Sequence, residues 1–172
     1  MRTSIYIDGF NLYYRVKGTD YKWLDLMALC QNLLDRQHAI DTINYYTTKV
    51  EGRKKDPRKP ERQGIYWRAL QKYIPQLRIK LGLFQQRKVM MPRADNEEKF
   101  VYVIRTEEKG TDVNLAVNLL NDMWLDKYDC AVIISNDSDL AEAMCLVRKH
   151  SEKILILIPP FPPQKNGQYQ EN

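Results

Sequence analysis

The sequence predicts an α/β fold in which a mostly parallel sheet has helices packed on both of its faces. Two short apolar runs, Ser4–Ile7 and Cys130–Ile134, each end abruptly in polar residues. Such runs are typical of strands that are buried on both faces, as the strands of parallel sheets are. Segments with helical spacing of apolar residues separate the strands along the chain. This alternation of strand and helix predicts a parallel sheet.

The remaining elements of the first half are predicted from local composition. Gly52 and two prolines among basic side chains indicate a loop, and Pro75 ends the helix that follows it. The alternation of apolar and basic residues at 77–81 is typical of a strand at a sheet edge. After the first strand we expect a helix at about 24–36, a strand at 42–47, a loop at 51–63, a helix at about 63–73 and the edge strand. The side chains expected to face inward from the helix after the loop are Ile65, Leu70 and Tyr73.

The second half begins with a predicted hairpin between Val89–Met91 and Phe100–Ile104, joined by a long turn over residues 92–99. The clearest helix is expected at Asp112–Asp126. The strand at 130–134, a helix at about 140–150 and a last strand at 153–158 complete a domain of residues 1–158. Residues 159–172 are rich in proline and polar side chains and are expected to be a disordered tail. The side chains predicted for the inner face of the clearest helix are Val113, Ala116, Val117, Leu120, Met123 and Trp124.

Composition argues against several classes of protein. The apolar runs are far shorter than the roughly 18 residues of a membrane span, so no membrane partner is predicted. No signal peptide is visible before the first strand. Cys30, Cys130 and Cys145 lie in apolar patterns, which predicts reduced core cysteines and a cytoplasmic location. His38 and His150 fall near predicted helix ends, which argues against histidine catalysis and against a zinc site.

Positive charge is concentrated in one part of the chain. Residues 49–93 contain 14 Lys and Arg but 3 Asp and Glu, whereas the rest of the chain is acidic. Such a distribution predicts a polyanionic partner held by the basic segment, although a solvated basic loop is the alternative. Tyr66, Trp67 and Tyr73 lie nearby, either to stack on bases or to pack in the core. The basic residues of the loop expected to bind substrate are Arg53, Lys54, Lys55, Arg58 and Lys59.

Acidic residues follow the two buried strands and open one helix. Asp8 comes directly after the first strand, Asp137 and Asp139 follow the strand at 130–134, and Asp112 begins a helix. If these two strands are neighbours in the sheet, Asp8 and Asp137 flank the topological switch point, where ligands of such sheets bind. As single residues, Asp112 and Asp137 can equally be helix caps, and Asp139 with Glu142 can form a capping box.

Together the four aspartates require a source of positive charge. Like charges about 4 Å apart repel by roughly 4 kcal/mol at an effective dielectric constant of 20. The cluster is therefore expected to hold a divalent cation or to retain protons. Ligands that are all oxygen favour Mg²⁺ or Mn²⁺, and such ions typically meet substrate phosphates. Phosphodiester hydrolysis is the reaction that this combination predicts. Asn11 and Ser135 either assist there or form local turn hydrogen bonds.

Three segments of the sequence resemble the NYN domain, a branch of the PIN-like nucleases, and in particular its LabA-like group. They are Ile7–Asn11, Glu108–Val113 and Ser135–Asp139. Leu140 stands where such proteins commonly have phenylalanine, and Asn136 where glycine is common. The resemblance implies a Rossmann-like, three-layer sandwich, to which the predicted hairpin is an addition.

The resemblance also implies a Mg²⁺- or Mn²⁺-dependent ribonuclease. By position, Asp8, Asp112, Asp137 and Asp139 are the implied catalytic and metal-binding residues, with Asn11 and Ser135 as supporting, substrate-binding residues. RNA is the implied partner, and a homodimer is compatible with the sequence. The alternative function is an RNA-binding or regulatory module with little or no turnover. A nucleotide-binding protein is less favoured, because no Gly-x-Gly-x-x-Gly or P-loop pattern is present.

Overall fold

The fold is a five-stranded parallel sheet covered by helices on both faces, with a separate two-stranded hairpin, as seen in a computed structural model that describes residues 1–52, 54 and 56–160. The strands are β1 (Arg2–Asp8), β2 (Ala39–Thr47), β3 (Leu77–Leu81), β4 (Leu83–Arg93), β5 (Asn96–Lys109), β6 (Cys130–Ile134) and β7 (Ile154–Ile158). The helices are α1 (Gly9–Val16), α2 (Leu26–Leu33), α3 (Lys59–Tyr73), α4 (Thr111–Trp124) and α5 (Ala141–His150), with short 3₁₀ helices at Asp20–Trp23 and Ser138–Leu140.

The sheet has the strand order β3-β2-β1-β6-β7, and all of its pairs are parallel. From β1 the chain passes through α1 and α2 to β2 on one side, while β6 pairs with β1 on the other side. The topological switch point therefore lies between β1 and β6, as the sequence predicted. The polar residues that follow these two strands meet at the same edge of the sheet.

Each face of the sheet has its own hydrophobic core. On one face Leu12 of α1, together with Leu26 and Cys30 of α2, packs against the sheet. On the other face the side chains of α4 and α5 pack around Tyr6 and Tyr46. All five residues of β6 are buried, which confirms the prediction of a strand covered on both sides. Among the described residues, no helix combines the length and apolar character needed to cross a membrane.

The start and the buried face of α3 both differ from the prediction. The helix α3 begins at Lys59, four residues before its predicted start, because Pro60 lies in the first turn, where proline is tolerated. Of its three predicted inner side chains, Leu70 is buried, whereas Ile65 and Tyr73 are exposed. The inner stripe is instead Tyr66, Leu70 and Ile74, spaced four residues apart.

The buried face of α4 was predicted only in part: Met123 is buried as predicted, and Ala116 and Leu120 pack against the margin of the core. Leu115, Leu119 and Met123 face the sheet, whereas Val113, Val117 and Trp124 are exposed. The same helix directs Asp122 inward, where its carboxylate accepts hydrogen bonds from the Tyr6 hydroxyl (2.8 Å) and from the Lys127 ammonium (2.9 Å). These bonds satisfy a buried acid and fix the rotation of α4 about its axis.

The hairpin is confirmed, but it is longer and its turn is shorter than predicted. β4 and β5 pair antiparallel and are joined at residues 94–95, and the register shifts next to Arg93. Apolar side chains at its outer end are exposed, among them Phe100, Tyr102 and Ile104. At its inner end β5 leads through Gly110, which has a φ of +84°, directly into α4.

The cysteine prediction holds for two of the three residues. Cys30 and Cys130 are buried, but Cys145 is exposed, because Ala143 and Val147 form the inner face of α5. The predicted tail cannot be compared with the structure, since residues 161–172 lie outside the described part of the chain.

Candidate functional site

Asp8 is the buried residue around which the site is built. It ends β1 and caps α1, and its Oδ1 atom accepts hydrogen bonds from the backbone N–H groups of Phe10 and Asn11, both at 3.0 Å. Gly9 allows α1 to begin here, because a Cβ atom at this position would lie 2.5 Å from the backbone oxygen of Tyr46. The local sequence Asp8-Gly9 therefore holds a carboxylate at the carboxyl end of the central strand.

Asn11 and Ser135 link Asp8 to the neighbouring strand. The Ser135 hydroxyl donates to Asp8 Oδ2 at 2.9 Å, and the Asn11 side-chain amide donates to the same oxygen. The backbone N–H of Asn136 donates to Asn11 Oδ1 at 3.1 Å, and that of Asp137 donates to Ser135 Oγ at 3.0 Å. The predicted supporting residues thus connect the end of β1 to the loop after β6 through direct hydrogen bonds.

Three of the four predicted aspartates come together. One carboxylate oxygen from each of Asp8, Asp112 and Asp137 lies within 4.8 Å of the other two. Asp8 is buried and the other two are half-buried. We call this group the acidic triad. Because its members come from the ends of β1 and β6 and from the first turn of α4, only the folded chain brings them together.

Asp139 lies at the margin of the acidic triad rather than within it. Its side chain is exposed, and its backbone N–H donates to Asp137 Oδ1 at 2.9 Å, so that Asp137 caps the short 3₁₀ helix before α5. The alternative capping box of Asp139 and Glu142 is not formed, since α5 follows Leu140 without a side-chain cap. Asp112 does not cap α4 either, because Gly110 occupies that position.

The electrostatics of the site reflect crowded negative charge. Burial first, and then the charges of three neighbouring aspartates, raise the pKa of Asp112 to about 6. Burial, and then the charge of Asp112, raise the pKa of Glu108 to about 7. Among the ion pairs of the described residues, none involves the acidic triad. Within the part of the chain that the structure describes, several carboxyl groups therefore lie together without an ion pair to a basic side chain.

This donor set fits a hard divalent cation. The three ligands are oxygen atoms of carboxylates, which suit Mg²⁺ or Mn²⁺ and lack the sulfur and imidazole groups that zinc favours. Bringing like charges together at this distance is unfavourable unless they bind a cation or protons. The raised pKa values of Asp112 and Glu108 indicate that proton uptake is one way to relieve this repulsion, and cation binding is the other.

Glu108 is a residue near the site that sequence analysis did not select. It lies one residue before the end of the hairpin strand β5, accepts a hydrogen bond from the Thr111 hydroxyl, and lies close enough to Asp112 for their charges to interact. Its signal was weak, since it lies within the motif Glu108–Val113 but follows another glutamate in a strand of exposed side chains. Its position near the end of β5, four residues before Asp112, is the sequence feature that could have identified it as a site residue.

The basic residues of the predicted loop are only partly described. Arg53 and Lys55 lie outside the described residues, and Lys54 is exposed in a turn. Arg58 forms an exposed ion pair with Glu61 at 3.0 Å. Lys59 is the first residue of α3. Of the aromatic residues predicted beside this loop, Tyr66 is partly buried and donates its hydroxyl to the Leu24 oxygen, and Tyr73 is exposed.

A cavity of about 560 Å³ lies between β3 and α4, with Lys80, Asn118 and Asp122 among its lining residues. No member of the acidic triad lines it. This cavity therefore does not mark the site, whereas the convergence of carboxylates at the switch point does.

The parallel sheet and its flanking helices are those of a PIN-like α/β protein. The chain belongs to the NYN domain family, whose model matches residues 2–169, and this family is part of the PIN-like superfamily. NYN domains are a nuclease-type family, and the clustered aspartates here can bind a metal ion.

Two further proteins are similar to this chain. It is 32% identical over 187 residues to 6-hydroxy-3-succinoylpyridine 3-monooxygenase HspA from Pseudomonas putida (strain DSM 28022 / S16), a match that covers 92% of this chain. The chain spans 60% of the length of that relative. A crystal structure of a protein of unknown function from Vibrio parahaemolyticus has the same fold, with a TM-score of 0.55 and 14% identity, covering 92% of this chain and 80% of the other.

Proposed function

We propose that this protein is a Mg²⁺- or Mn²⁺-dependent ribonuclease that hydrolyses RNA phosphodiester bonds at the acidic triad. The observation that supports the proposal is the meeting of Asp8, Asp112 and Asp137 within 4.8 Å at the switch point of an NYN domain. Phosphoryl transfer depends mainly on positioning and on stabilising negative charge, so the reaction needs few protein groups beyond such a centre.

The three aspartates are the proposed metal ligands. A bound divalent cation would activate water and stabilise the negative charge that develops around phosphorus. Ser135 and Asn11 hold Asp8 in one orientation through hydrogen bonds to its Oδ2 atom. Asp139 adds negative charge at an exposed position beside the site and, after burial and the charges of Asp8 and Asp137, contributes to the raised pKa of Asp112. We assign these three residues to support of the acidic triad.

Glu108 is proposed to hold a proton beside the reacting groups. Its pKa is raised to about 7, so a carboxyl proton is retained closer to neutral pH than on an ordinary glutamate. Hydrolysis in which water attacks phosphorus releases the 3′ oxygen, which must gain a proton. Glu108 is our candidate for supplying it.

Cleavage can be tested with one variant of the acidic triad and one matched control. RNA is incubated with the wild-type protein in Mn²⁺ and in chelator, with Asp137→Asn, and with Asp41→Asn, which makes the same change at an exposed position of β2. We expect Mn²⁺-dependent cleavage by the wild type and by Asp41→Asn, and retained RNA binding without cleavage by Asp137→Asn. Undiminished cleavage by highly purified Asp137→Asn would reject the assignment.

RNA binding is proposed to depend on the basic segment before and at the start of α3. Replacing basic side chains removes phosphate contacts, so binding should weaken and its dependence on salt should become shallower. The measurement is the dissociation constant of a labelled RNA at several salt concentrations. An unchanged salt dependence would limit this segment to a role in solubility. The residues to be replaced together are Arg53, Lys54, Lys55, Arg58 and Lys59.

A second candidate function comes from the relative that is named a monooxygenase. By this reading the chain would hydroxylate a small aromatic substrate with O₂ and an external reductant. The direct test supplies 6-hydroxy-3-succinoylpyridine, O₂ and reduced nicotinamide, and measures hydroxylated product by mass spectrometry. Product formation without RNA cleavage would favour this candidate. RNA binding with neither product would favour the regulatory alternative.

A further inference from the structure

The outer face of α1 carries a group of aromatic side chains beside the acidic triad. The ring centroids of Phe10 and Tyr14 are 6.4 Å apart, and those of Tyr13 and Tyr14 are 5.5 Å apart in an edge-to-face arrangement. Tyr14 is 58% exposed and Tyr13 is 38% exposed. Their rings therefore cover little of the core, which α1 contacts mainly through Leu12.

Positive charge surrounds these rings. The Lys17 ammonium lies 5.7 Å from the centroid of the Tyr14 ring, and the Lys59 ammonium lies 5.6 Å from that of Tyr13. Lys59 begins α3 and is the last of the basic residues at 53–59 that are proposed to bind RNA, so the aromatic face of α1 lies beside one member of that set. Exposed Arg15 adds a further cation on α1. Aromatic faces between cations suit a ligand that alternates flat rings with negative charges.

The same helix face reaches the acidic triad. Asn11 lies three residues before Tyr14, so both project from one side of α1, about 4.5 Å apart along the axis. The Asn11 side chain donates to Asp8 and accepts from the backbone of Asn136. A chain bound at Asp8 can therefore continue across Tyr14 and Tyr13 toward Lys59 within a few nucleotides.

We propose that Tyr13 and Tyr14 form a stacking platform for the bases of single-stranded RNA, next to the phosphate that the acidic triad receives. This inference rests on the proposed ribonuclease function and specifies its substrate as unpaired RNA. In a duplex, the bases are already stacked and paired, and their faces cannot reach two tyrosine rings on a helix surface. Base-to-ring stacking tolerates any sequence, so the platform selects strandedness rather than base identity.

Tyr73 provides a matched control for this platform. It is 74% exposed and has the Lys72 ammonium 5.5 Å from its ring centroid, so its local surroundings resemble those of Tyr14. Tyr73 ends α3 and Lys59 begins it, so Tyr73 lies about 21 Å from Lys59 along the helix axis. A general effect of removing an exposed tyrosine beside a lysine would appear at Tyr73 as well.

The test measures binding in a protein that does not cut. A fluorescein-labelled 12-nucleotide oligo(U) is titrated with the Asp137→Asn protein in chelator, and its anisotropy gives the dissociation constant. Adding Tyr14→Ala or Tyr13→Ala should weaken binding roughly 5- to 150-fold. Tyr14→Phe, which keeps the ring, and Tyr73→Ala should bind within twofold of the parent. The affinity for a blunt RNA duplex should change in none of these variants, and equal melting temperatures would show that all of them are folded.

Three results would overturn the platform: full oligo(U) affinity in Tyr14→Ala, an equal loss in Tyr73→Ala, or an equal loss in Tyr14→Phe. Its failure can be distinguished from failure of the ribonuclease proposal. Mn²⁺-dependent cleavage combined with unchanged affinity in Tyr14→Ala rejects the platform alone. If the wild-type protein never cleaves RNA but Tyr14→Ala weakens oligo(U) binding, the ribonuclease proposal is rejected and the platform is kept.

Discussion

Replacing Asp112 by asparagine should stabilise the protein without metal and remove its stabilisation by metal. The Asp112 carboxylate lies within 4.8 Å of carboxylate oxygens of Asp8 and Asp137. At an effective dielectric constant of 20, each such pair of charges repels by about 3.5 kcal/mol. Asp112 is half-exposed, so solvent screening reduces the net gain from removing its charge to about 1 to 2 kcal/mol. For a domain of this size, that gain raises the melting temperature by roughly 2 to 8 °C.

The size of this stabilisation depends on pH. The pKa of Asp112 in the folded protein is raised to about 6, above its ordinary value of 3.8. The native state therefore binds more protons than the unfolded state between these values, and the wild type loses stability as pH rises through this window. Asparagine does not titrate, so Asp112→Asn should gain over the wild type at pH 7.5, keep about half of that advantage at pH 5 and lose most of it by pH 4.

The assay is thermal unfolding with and without Mn²⁺, with Asp41→Asn as the exposed control. At a hundredfold excess over the dissociation constant, Mn²⁺ should stabilise the wild type by about 2.7 kcal/mol, or roughly 5 to 11 °C. Asp112→Asn should lose this shift and Asp41→Asn should keep it. A lower melting temperature for metal-free Asp112→Asn at pH 7.5, or an undiminished Mn²⁺ shift in that variant, would refute the electrostatic reasoning.

Three further predictions concern the site and its surroundings. Because burial, more than charge, raises the pKa of Glu108 to about 7, Mn²⁺ affinity measured by calorimetry should increase between pH 5.5 and 7.5, and Glu108→Gln should flatten that profile. Gly9→Ala places a Cβ atom 2.5 Å from the Tyr46 oxygen and should cost about 1 to 3 kcal/mol in denaturant unfolding, whereas Gly64→Ala, with its nearest atom at 3.6 Å, should be neutral or stabilising. Cys145 is exposed and should be the one cysteine that reacts rapidly with a thiol reagent under native conditions; rapid reaction of all three would contradict the buried positions of the others.

The sheet and the central part of the site could be predicted because their signals are local. A strand buried on both faces must be apolar throughout, and it must end where the chain meets solvent. The apolar run therefore shows where β1 and β6 lie, and the change to polar residues shows where each of them ends. The acids that follow such strands meet wherever the strands are neighbours. Asp8 and Asp137 were therefore recognised from the sequence, together with Ser135 and Asn11, which lie in the same turns.

Only the tertiary structure decided which face of α4 is buried. Its outer stripe of Val113, Val117 and Trp124 is as apolar as its inner residues, so periodicity alone could not choose between them. The choice follows from long-range contacts, including the bond between Asp122 and Tyr6, which join residues far apart in sequence. The rotation of α4 in turn sets the direction of Asp112.

The position of Glu108 also depended on folding at long range. Along the sequence it is one of several glutamates in an exposed strand, and only its place in the segment Glu108–Val113 distinguishes it. It approaches the aspartates because β5 returns from the hairpin to the edge of the sheet, where Gly110 turns the chain into α4. The sequence alone determined which strands end in carboxylates, whereas the packing of the hairpin and of α4 against the sheet decided which other acids join them.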